Sequence, residues 1–246
     1  MSLSATGSSL PLRIDIVSDV VCPWCVIGYK TLERALAAVG EAETAVVRFR
    51  PFELNPHMPP GGQHLGEHIA QKYGSSSAQS RTARERITAL GAGLGFAFRF
   101  TEESRIYNTW KAHQLLHWAH ESAGPKAQIA LKLSLFDAYF TQGQAVDQVE
   151  VLAAAAGRAG LSAEEAAAVL YDERYASAVR EEAEVWRDKG IHAVPSVVID
   201  GRSLLTGAQT EEVFVRALTR ALDARTAQAG DAGAGDAGAG AGGARP

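Results

Sequence analysis

The chain contains only two cysteines among its 246 residues, Cys22 and Cys25. Two cysteines are too few for a disulfide framework, and in a reducing compartment a close pair is more often catalytic or metal-binding than a permanent cross-link. A structural zinc site needs about four ligands, and no second cysteine pair supplies them. The scarcity of cysteine excludes a disulfide-rich scaffold, and we expect neither a metal nor a bound cofactor.

The sequence also lacks a strong charge of either sign and any long hydrophobic run. Its formal net charge of −4 at pH 7 gives no electrostatic argument for nucleic acid or a membrane surface as a partner. No segment approaches the length of a membrane-spanning helix, and the first eleven residues show no basic start followed by an apolar run. With 46% hydrophobic residues the chain can bury a sizeable core. We therefore expect a globular, cytoplasmic protein.

Strand patterns occur only towards the two ends of the chain. Apolar, β-branched runs predict strands over Ile14–Val17 and within 44–52, separated by a helix over Tyr29–Val39. Near the other end, Val194–Asp200 and Ser203–Thr206 flank an Asp-Gly turn and predict a hairpin. The last predicted helix covers residues 211–225. The two ends must meet to form one sheet.

The region between the strands has helical periodicity, broken mainly by glycines and Gly124-Pro125. Helices are predicted over residues 64–73, 78–92, 104–121, 126–141, 148–159, 162–170 and 173–189, and a short extended piece over 96–100. The predicted organisation is a flexible N-terminus (1–11), a discontinuous α/β domain (12–58 and 190–225), a helical insertion (59–189) and a disordered Gly/Ala-rich tail (226–246).

Both cysteines lie where the first strand ends and a helix begins. Unpaired backbone N–H groups and the positive end of the helix dipole stabilise an anion there, so we expect the pKa of the Cys22 thiol to be lowered. Pro23 suits the first helical turn because it has no N–H to satisfy. Cys25, about one turn later, can reach back to close a disulfide. The pattern predicts thiol–disulfide exchange with Cys22 as the nucleophile and Cys25 as the resolving thiol.

Three patches of sequence, with two shorter ones, carry a family resemblance. They are Asp19–Gly28, which contains Cys-Pro-Trp-Cys, Phe52–Pro56 and Val194–Ile199, with Asn108-Thr109 and Ala112-His113. Over residues 12–225 the chain resembles the DsbA family of thioredoxin-fold oxidoreductases, and more narrowly its FrnE-type branch of cytoplasmic dithiol-disulfide isomerases and polyketide-biosynthesis proteins. The resemblance implies a thioredoxin-like α/β fold, a central mixed sheet flanked by helices, with a long all-helical insertion.

The resemblance further implies that the Val194-Pro195 peptide bond is cis and faces the sulfurs, where the Val194 backbone can pair with an extended substrate. It implies a protein disulfide oxidoreductase or isomerase acting on protein or peptide thiols and disulfides, with glutathione a candidate redox partner. Ile191-His192-Ala193 departs from the expected pattern, which leaves the shape of the substrate groove open. His192 becomes a candidate tuning residue because it is near the predicted cis-proline.

Two other functions stay open from the sequence. Glutathione-dependent isomerases and kappa-type transferases share a thioredoxin fold with a helical insertion, but they use the sulfur of glutathione and supply a hydroxyl at the position of Cys22. The presence of Cys22 and Cys25 argues against that class. A non-catalytic partner in a biosynthetic pathway would instead have inert sulfurs. The physiological substrate, the direction of electron flow and the oligomeric state are not determined by the sequence.

Several polar residues are weaker candidates. Trp24 is either a substrate contact or a local packing residue. Asp15 and Glu53 are the carboxylates nearest the predicted active-site strands, and either could relay a proton for Cys25. Three histidines, 113, 117 and 120, recur at helical spacing, but no carboxylate or cysteine accompanies them at ligand spacing, so we interpret them as ordinary helix histidines.

Overall fold

The structure, a computed structural model, describes residues 11–236. Its strands are β1 (Arg13–Ser18), β2 (Val46–Pro51), β3 (Gln63–His64), β4 (Arg105–Ile106), β5 (Ser196–Ile199) and β6 (Ser203–Thr206). Four of them form one sheet in the order β2-β1-β5-β6, in which β1 is parallel to β2 and antiparallel to β5. The predicted mixed sheet, built from both ends of the chain, is confirmed.

Most of the described chain between β2 and β5 is helical. The helices are α1 (Pro23–Ala38), α2 (Leu65–Tyr73), α3 (Ser77–Gly93), α4 (Trp110–Phe136), a π-helical turn (Asp137–Thr141), α5 (Val149–Arg158), α6 (Ala163–Tyr171), α7 (Ala176–Asp188) and α8 (Glu211–Asp236). β3 and β4 pair with each other apart from the main sheet. The domain boundaries at residues 58 and 190 stay predictions.

Two apolar cores meet at the start of α1. Alternate residues of β1, Ile14 and Ile16, pack with Leu32 of α1 and Phe214 of α8, so these two helices cover one face of the sheet. The first turn of α1 belongs instead to the core of the helical insertion, which includes both cysteines. The cysteine pair therefore lies at the junction of the sheet and the insertion.

The insertion is also joined to the sheet by Gln128 of α4. Its side-chain oxygen accepts a hydrogen bond from the Phe49 N–H at 2.8 Å, and its side-chain nitrogen donates to the Phe49 carbonyl at 3.1 Å. β2 is an edge strand, and Gln128 is buried. One glutamine side chain thus replaces a neighbouring strand at the centre of this edge.

The structure corrects the prediction of a helix from residue 104 and an extended piece over residues 96–100. The helix begins at Trp110, because Arg105 and Ile106 pair with β3 and the Asn108 side chain accepts from the Trp110 N–H at 2.9 Å. The segment 96–100 forms no strand. Its three phenylalanines, at 96, 98 and 100, each contact the ring of Phe140 instead.

Three further boundaries differ from the prediction. α7 begins at Ala176 rather than at Glu173, whose φ of 49° is outside the helical region. The two helices predicted on either side of Gly124-Pro125 form α4, which is interrupted at Gly124 with φ 82°. α8 continues to Asp236, so the prediction of disorder is wrong for residues 226–236, where alanine, the best helix former, extends a helix already started on the core.

The flexible segment predicted for residues 1–10 and the disordered tail predicted for residues 237–246 lie outside the described residues.

Replacing glycine with alanine near the end of α3 should have opposite effects on stability at Gly91 and at Gly93. A Cβ at Gly91 would lie 2.4 Å from the Phe98 ring, whereas one at Gly93 would meet no atom within 4 Å. We expect Gly91→Ala to destabilise the protein by about 1 to 3 kcal/mol through overpacking. Gly93→Ala should stabilise it by about 0.4 to 1 kcal/mol, because alanine restricts the unfolded chain. Urea unfolding of both variants measures this, and equal effects would contradict the packing described.

The half-buried ion pairs between α7 and β2 predict a pH dependence of stability. Glu182 pairs with Arg50 and, at 3.1 Å, with His117. Burial alone would raise the pKa of Glu182, but hydrogen bonds from His117 and Arg50 lower it from 4.5 to about 2. Because the folded pKa is the lower one, the stabilisation is present above pH 4.5 and is lost as the pH falls towards 2.

Glu182→Gln should therefore lower the free energy of unfolding at pH 7 by on the order of 2 to 3 kcal/mol. Its deficit relative to the parent should shrink as the pH falls from 4.5 to 2, which denaturant titrations at several pH values measure. Glu184→Gln, an exposed position in the same helix, is the control and should show neither effect.

Candidate active site

The cysteine pair occupies the turn from β1 into α1. Cys22 is the N-cap residue of α1, Pro23 follows in the first turn, and the Cys25 N–H donates to the Cys22 carbonyl at 3.0 Å. Both thiols are free, and Cys22 is 4% exposed whereas Cys25 is fully buried. The predicted placement of the pair between a strand and a helix is confirmed.

The Val194-Pro195 loop faces this turn. The Val194-Pro195 peptide bond is cis, as the family resemblance implied. The Cys22 Sγ lies 3.9 Å from the Val194 carbonyl oxygen. Gly28 allows the close approach, because a Cβ there would lie 3.0 Å from Cγ of Pro195. Two segments far apart in the sequence therefore meet at Cys22.

Lys132 of α4 places a positive charge in the core near Cys25. The side chain is fully buried, and its Nζ lies 5.2 Å and 5.0 Å from the ring centroids of Phe49 and Phe136. Among the described residues, Nζ has no hydrogen-bond partner. Burial lowers the pKa of Lys132 to about 8, and the charges of Cys25 and Asp19 act in the opposite direction.

Asp19 is the buried carboxylate of the site. Its Oδ2 accepts a hydrogen bond from the Leu54 N–H at 2.7 Å, and its Oδ1 lies 3.5 Å from Nε2 of His113. Burial alone would raise the pKa of Asp19, but His113, the Leu54 N–H and Lys132 together lower it. The same His113 nitrogen lies 2.9 Å from the Phe52 carbonyl, which can only accept, so Nε2 carries a proton.

The two thiols titrate as a coupled pair. The hydrogen bond that Cys22 donates to Cys25 raises the pKa of Cys22, with burial acting in the same direction. Burial also opposes ionisation of Cys25, but the Cys22 hydrogen bond and the Lys132 charge lower the pKa of Cys25. The predicted lowering of the Cys22 pKa is therefore wrong for the reduced pair, because the groups that stabilise a thiolate surround Cys25.

Cys22 opens onto a cavity of about 370 Å³. The cavity lies between the cysteine turn and helices α2 and α3, and Pro23, Trp24 and Val194 also line it. Cys25 and His192 do not line the cavity, and His192 is exposed to solvent. Of the residues predicted near the sulfurs, Pro23, Trp24 and Val194 thus share this opening with Cys22. Pro195 packs against Gly28 instead.

The carboxylates expected to relay a proton lie elsewhere. Asp15 is 2.7 Å from Arg50 in an ion pair on the sheet. Glu53 is half-buried near His113 and Asp19, and burial raises its pKa. Neither makes a hydrogen bond to a cysteine in the described part of the chain. Asp19 was in the family motif, but nothing in its spacing marked it as the buried acid.

The three helix histidines do not converge on one site. His113 faces Asp19, His117 pairs with Glu182, and Nδ1 of His120 is buried without a partner in the described chain. Within residues 11–236 no group of three or more His, Cys, Asp or Glu side chains is arranged to hold a metal ion.

Sequence reasoning missed Lys132, Ser80 and Arg84 as site residues. One signal for Lys132 was present, since it lies on the same helical stripe as Ile129 and Phe136 in an otherwise apolar segment. Ser80 and Arg84 line the cavity from α3. They had no such signal, because polar residues surround them in the sequence.

Comparison with known proteins agrees with this geometry. The DSBA-like thioredoxin domain family matches residues 13–219. A probable DsbA oxidoreductase from Streptomyces coelicolor is 34% identical, with a TM-score of 0.80 over 86% of this chain and 90% of that one. YwbO, an uncharacterized protein of Bacillus subtilis, is 24% identical over 85% of this chain and 97% of its own length.

A more distant likeness concerns the fold alone. The cytosolic disulfide reductase DsbM from Pseudomonas aeruginosa, solved with GSH, is 16% identical, with a TM-score of 0.59 over 86% of this chain and all of that one. The family match spans most of the chain and both halves of the cysteine site. The chain therefore belongs to the DsbA-like thioredoxin domain family and is an oxidoreductase of that family.

Proposed function

We propose that the protein exchanges disulfides through Cys22 and Cys25, with Cys22 as the attacking and Cys25 as the resolving sulfur. The observation that carries this assignment is the unequal placement of the pair. Cys22 lines the cavity, whereas Cys25 is fully buried near the Lys132 ammonium. Of the two sulfurs, only that of Cys22 lies at the cavity where a substrate sulfur can enter, and the Lys132 charge lowers the pKa of Cys25.

The reduction of a substrate disulfide follows from this arrangement. As Cys22 attacks, its proton passes to the neighbouring Cys25 thiolate. A bond forms between Cys22 and one substrate sulfur, and the other substrate sulfur leaves as a thiolate that takes a proton from water. Cys25 then attacks Cys22, and its proton passes to the second leaving thiolate. The protein loses two electrons, and the substrate gains them as two thiols.

Lys132 and Asp19 support the second step. Once Cys22 is in the mixed disulfide it no longer donates a hydrogen bond to Cys25. The Lys132 charge remains and keeps the Cys25 thiolate accessible at neutral pH. Asp19 balances Lys132 in the absence of a thiolate, which limits the cost of burying the ammonium.

The neighbouring residues position the substrate. Pro23 and Trp24 line the opening on one side and Val194 on the other, and Pro195 packs against α1. We assign Val194 as the backbone contact of an extended substrate and Trp24 as an apolar contact. His192, exposed beside this loop, is assigned only to tuning the approach of the substrate.

The wider assignments rest on resemblance and fold. The motif around Cys-Pro-Trp-Cys supports placing the chain in the FrnE-type branch, as a cytoplasmic oxidoreductase or isomerase with thiol or disulfide substrates. The likeness to a disulfide reductase solved with GSH supports glutathione as a redox partner. Within residues 11–236, no helix has both the length and the apolar composition that a membrane span requires.

Serine variants of the two cysteines test the proposed roles. Cys22→Ser should abolish exchange, because the remaining sulfur is buried. Cys25→Ser should accumulate a mixed disulfide with a model substrate, because the resolving sulfur is missing. Mass spectrometry without reductant measures the adduct: Cys25→Ser should gain the mass of one substrate thiol, and Cys22→Ser should not. Full exchange activity in Cys22→Ser would show that the roles are misassigned.

A redox titration in glutathione buffers tests the function as a whole. One two-electron transition ending in a Cys22–Cys25 disulfide, followed by protein fluorescence and thiol count, is expected, and its midpoint separates an oxidant from a reductant. Bound glutathione without a transition would favour the transferase class. Thiols that stay unreacted throughout would favour a non-catalytic partner.

Lys132→Met tests the electrostatic support of the thiolate. Loss of the charge near Cys25 should raise the pKa of the first ionisation of the reduced pair by roughly one to two pH units. Thiolate ultraviolet absorbance against pH, with oxidised protein as the blank, measures the shift. Lys126→Met, an exposed position in the same helix, should leave the titration unchanged. Coincident titrations for the parent and Lys132→Met would remove Lys132 from the site.

A further inference from the structure

The cavity beside Cys22 is apolar over most of its wall. The apolar lining residues include Leu54, Leu65, Ile69, Ile87, Phe100 and Ile106. With a volume of about 370 Å³ it is within the range of pockets that bind small molecules. Because Cys22 is only 4% exposed, the sulfur is more accessible to a molecule inside this cavity than to a disulfide held in a folded protein.

One permanent charge interrupts the apolar wall. Arg84 of α3 lines the cavity and makes no ion pair with any described residue. Its Nε donates a hydrogen bond to the Ser80 carbonyl at 3.4 Å. The described lining contains no carboxylate. Burial, together with the Lys72 charge, lowers the pKa of His68, the histidine of the lining. The pocket therefore has an uncompensated positive charge.

An unpartnered hydroxyl accompanies this charge. Ser80 lies one helical turn before Arg84 and also lines the cavity. It is 6% exposed, and its Oγ has no hydrogen-bond partner among the described residues. A buried hydroxyl without a hydrogen-bond partner destabilises a protein, and a ligand atom that bonds to the hydroxyl removes this cost. Ser80 and Arg84 together offer a hydroxyl donor and a guanidinium to one anionic group.

We propose that this cavity binds small disulfides and thiols with an apolar body and a carboxylate, the carboxylate being held by Arg84 and Ser80 while the sulfur meets Cys22. This specificity rests on the proposed function, since Cys22 must be the attacking sulfur. The chemistry is unchanged: one disulfide and the two protein thiols give the Cys22–Cys25 disulfide and two small thiols.

The test compares two aromatic disulfides that differ in charge. Dithiobis(nitrobenzoate) carries a carboxylate on each ring, and dithiodipyridine carries none. Prereduced, desalted protein is mixed with each, and the rate of release of the coloured thiol is divided by the rate for N-acetylcysteine, which removes the intrinsic reactivity of the probe. The carboxylate preference is the ratio of the two normalised rates.

Arg84→Gln should lower the carboxylate preference about tenfold, because a charge-assisted contact is lost. Ser80→Ala should lower it about threefold through loss of one hydrogen bond. Arg86→Gln makes the same charge change at an exposed position of the same helix and should leave the preference within about twofold of the parent. Equal losses in Arg84→Gln and Arg86→Gln would indicate general charge attraction and overturn the proposal.

Competition on the unmodified protein gives a test that does not depend on the folding of a variant. Para-ethylbenzoate should slow the reaction with dithiodipyridine, whereas para-ethylbenzyl alcohol at the same concentration should not. Equal inhibition, or none, would overturn the proposal. So would a higher normalised rate with oxidised glutathione than with dithiobis(nitrobenzoate), since that would indicate a polar peptide site.

The outcomes also separate this inference from the proposed function. If the reduced protein reacts with every probe no faster than its Cys22→Ser variant, thiol exchange through Cys22 fails. If it reacts rapidly but without a carboxylate preference, exchange stands and the substrate specificity fails.

Discussion

A buried ammonium determines much of the chemistry of this protein. Lys132 comes from the helical insertion and has no hydrogen-bond partner in the described chain. The groups whose negative charge acts on it are Cys25, Asp19 and Cys22, in that order. An unpaired charge in a core is costly, so the site favours states in which a sulfur or a carboxylate is ionised. The insertion thus contributes the positive charge of Lys132 to a site whose two sulfurs come from the turn between β1 and α1.

The unequal roles proposed for the two cysteines have the same origin. A helix N-terminus alone would favour ionisation of the first cysteine, and Cys22 indeed occupies the N-cap. In the core, however, the hydrogen bond from Cys22 and the Lys132 charge both lower the pKa of Cys25. These two effects outweigh that of the helix N-terminus on Cys22. In the proposed mechanism the buried Cys25 carries the negative charge, and Cys22 becomes the thiolate by proton transfer to Cys25 when a substrate enters the cavity.

The sequence predicted those features of the structure that depend on neighbouring residues alone. The strand before Cys22, the helix after it and the late hairpin follow from apolar alternation and turn residues, and the family motifs supported the cis bond before Pro195. It was uninformative where distant segments meet. No pattern showed that Lys132 approaches Cys25, or that Ser80 and Arg84 share a cavity with Cys22, because these contacts depend on how the insertion packs. The Cys22 pKa was misjudged for that reason.

Gln128 has a consequence for how the two parts of the molecule can be separated. The outward-facing backbone of β2 is satisfied at Phe49 by that one side chain, and Pro51 at the end of the strand has no N–H to donate. Without the insertion, β2, in which apolar residues alternate with Arg48 and Arg50, would have an open hydrogen-bonding edge. Such an edge can pair with strands from other chains. The insertion therefore covers the β2 edge and prevents it from pairing with another copy of the chain. We expect the sheet domain without the insertion to be prone to aggregation.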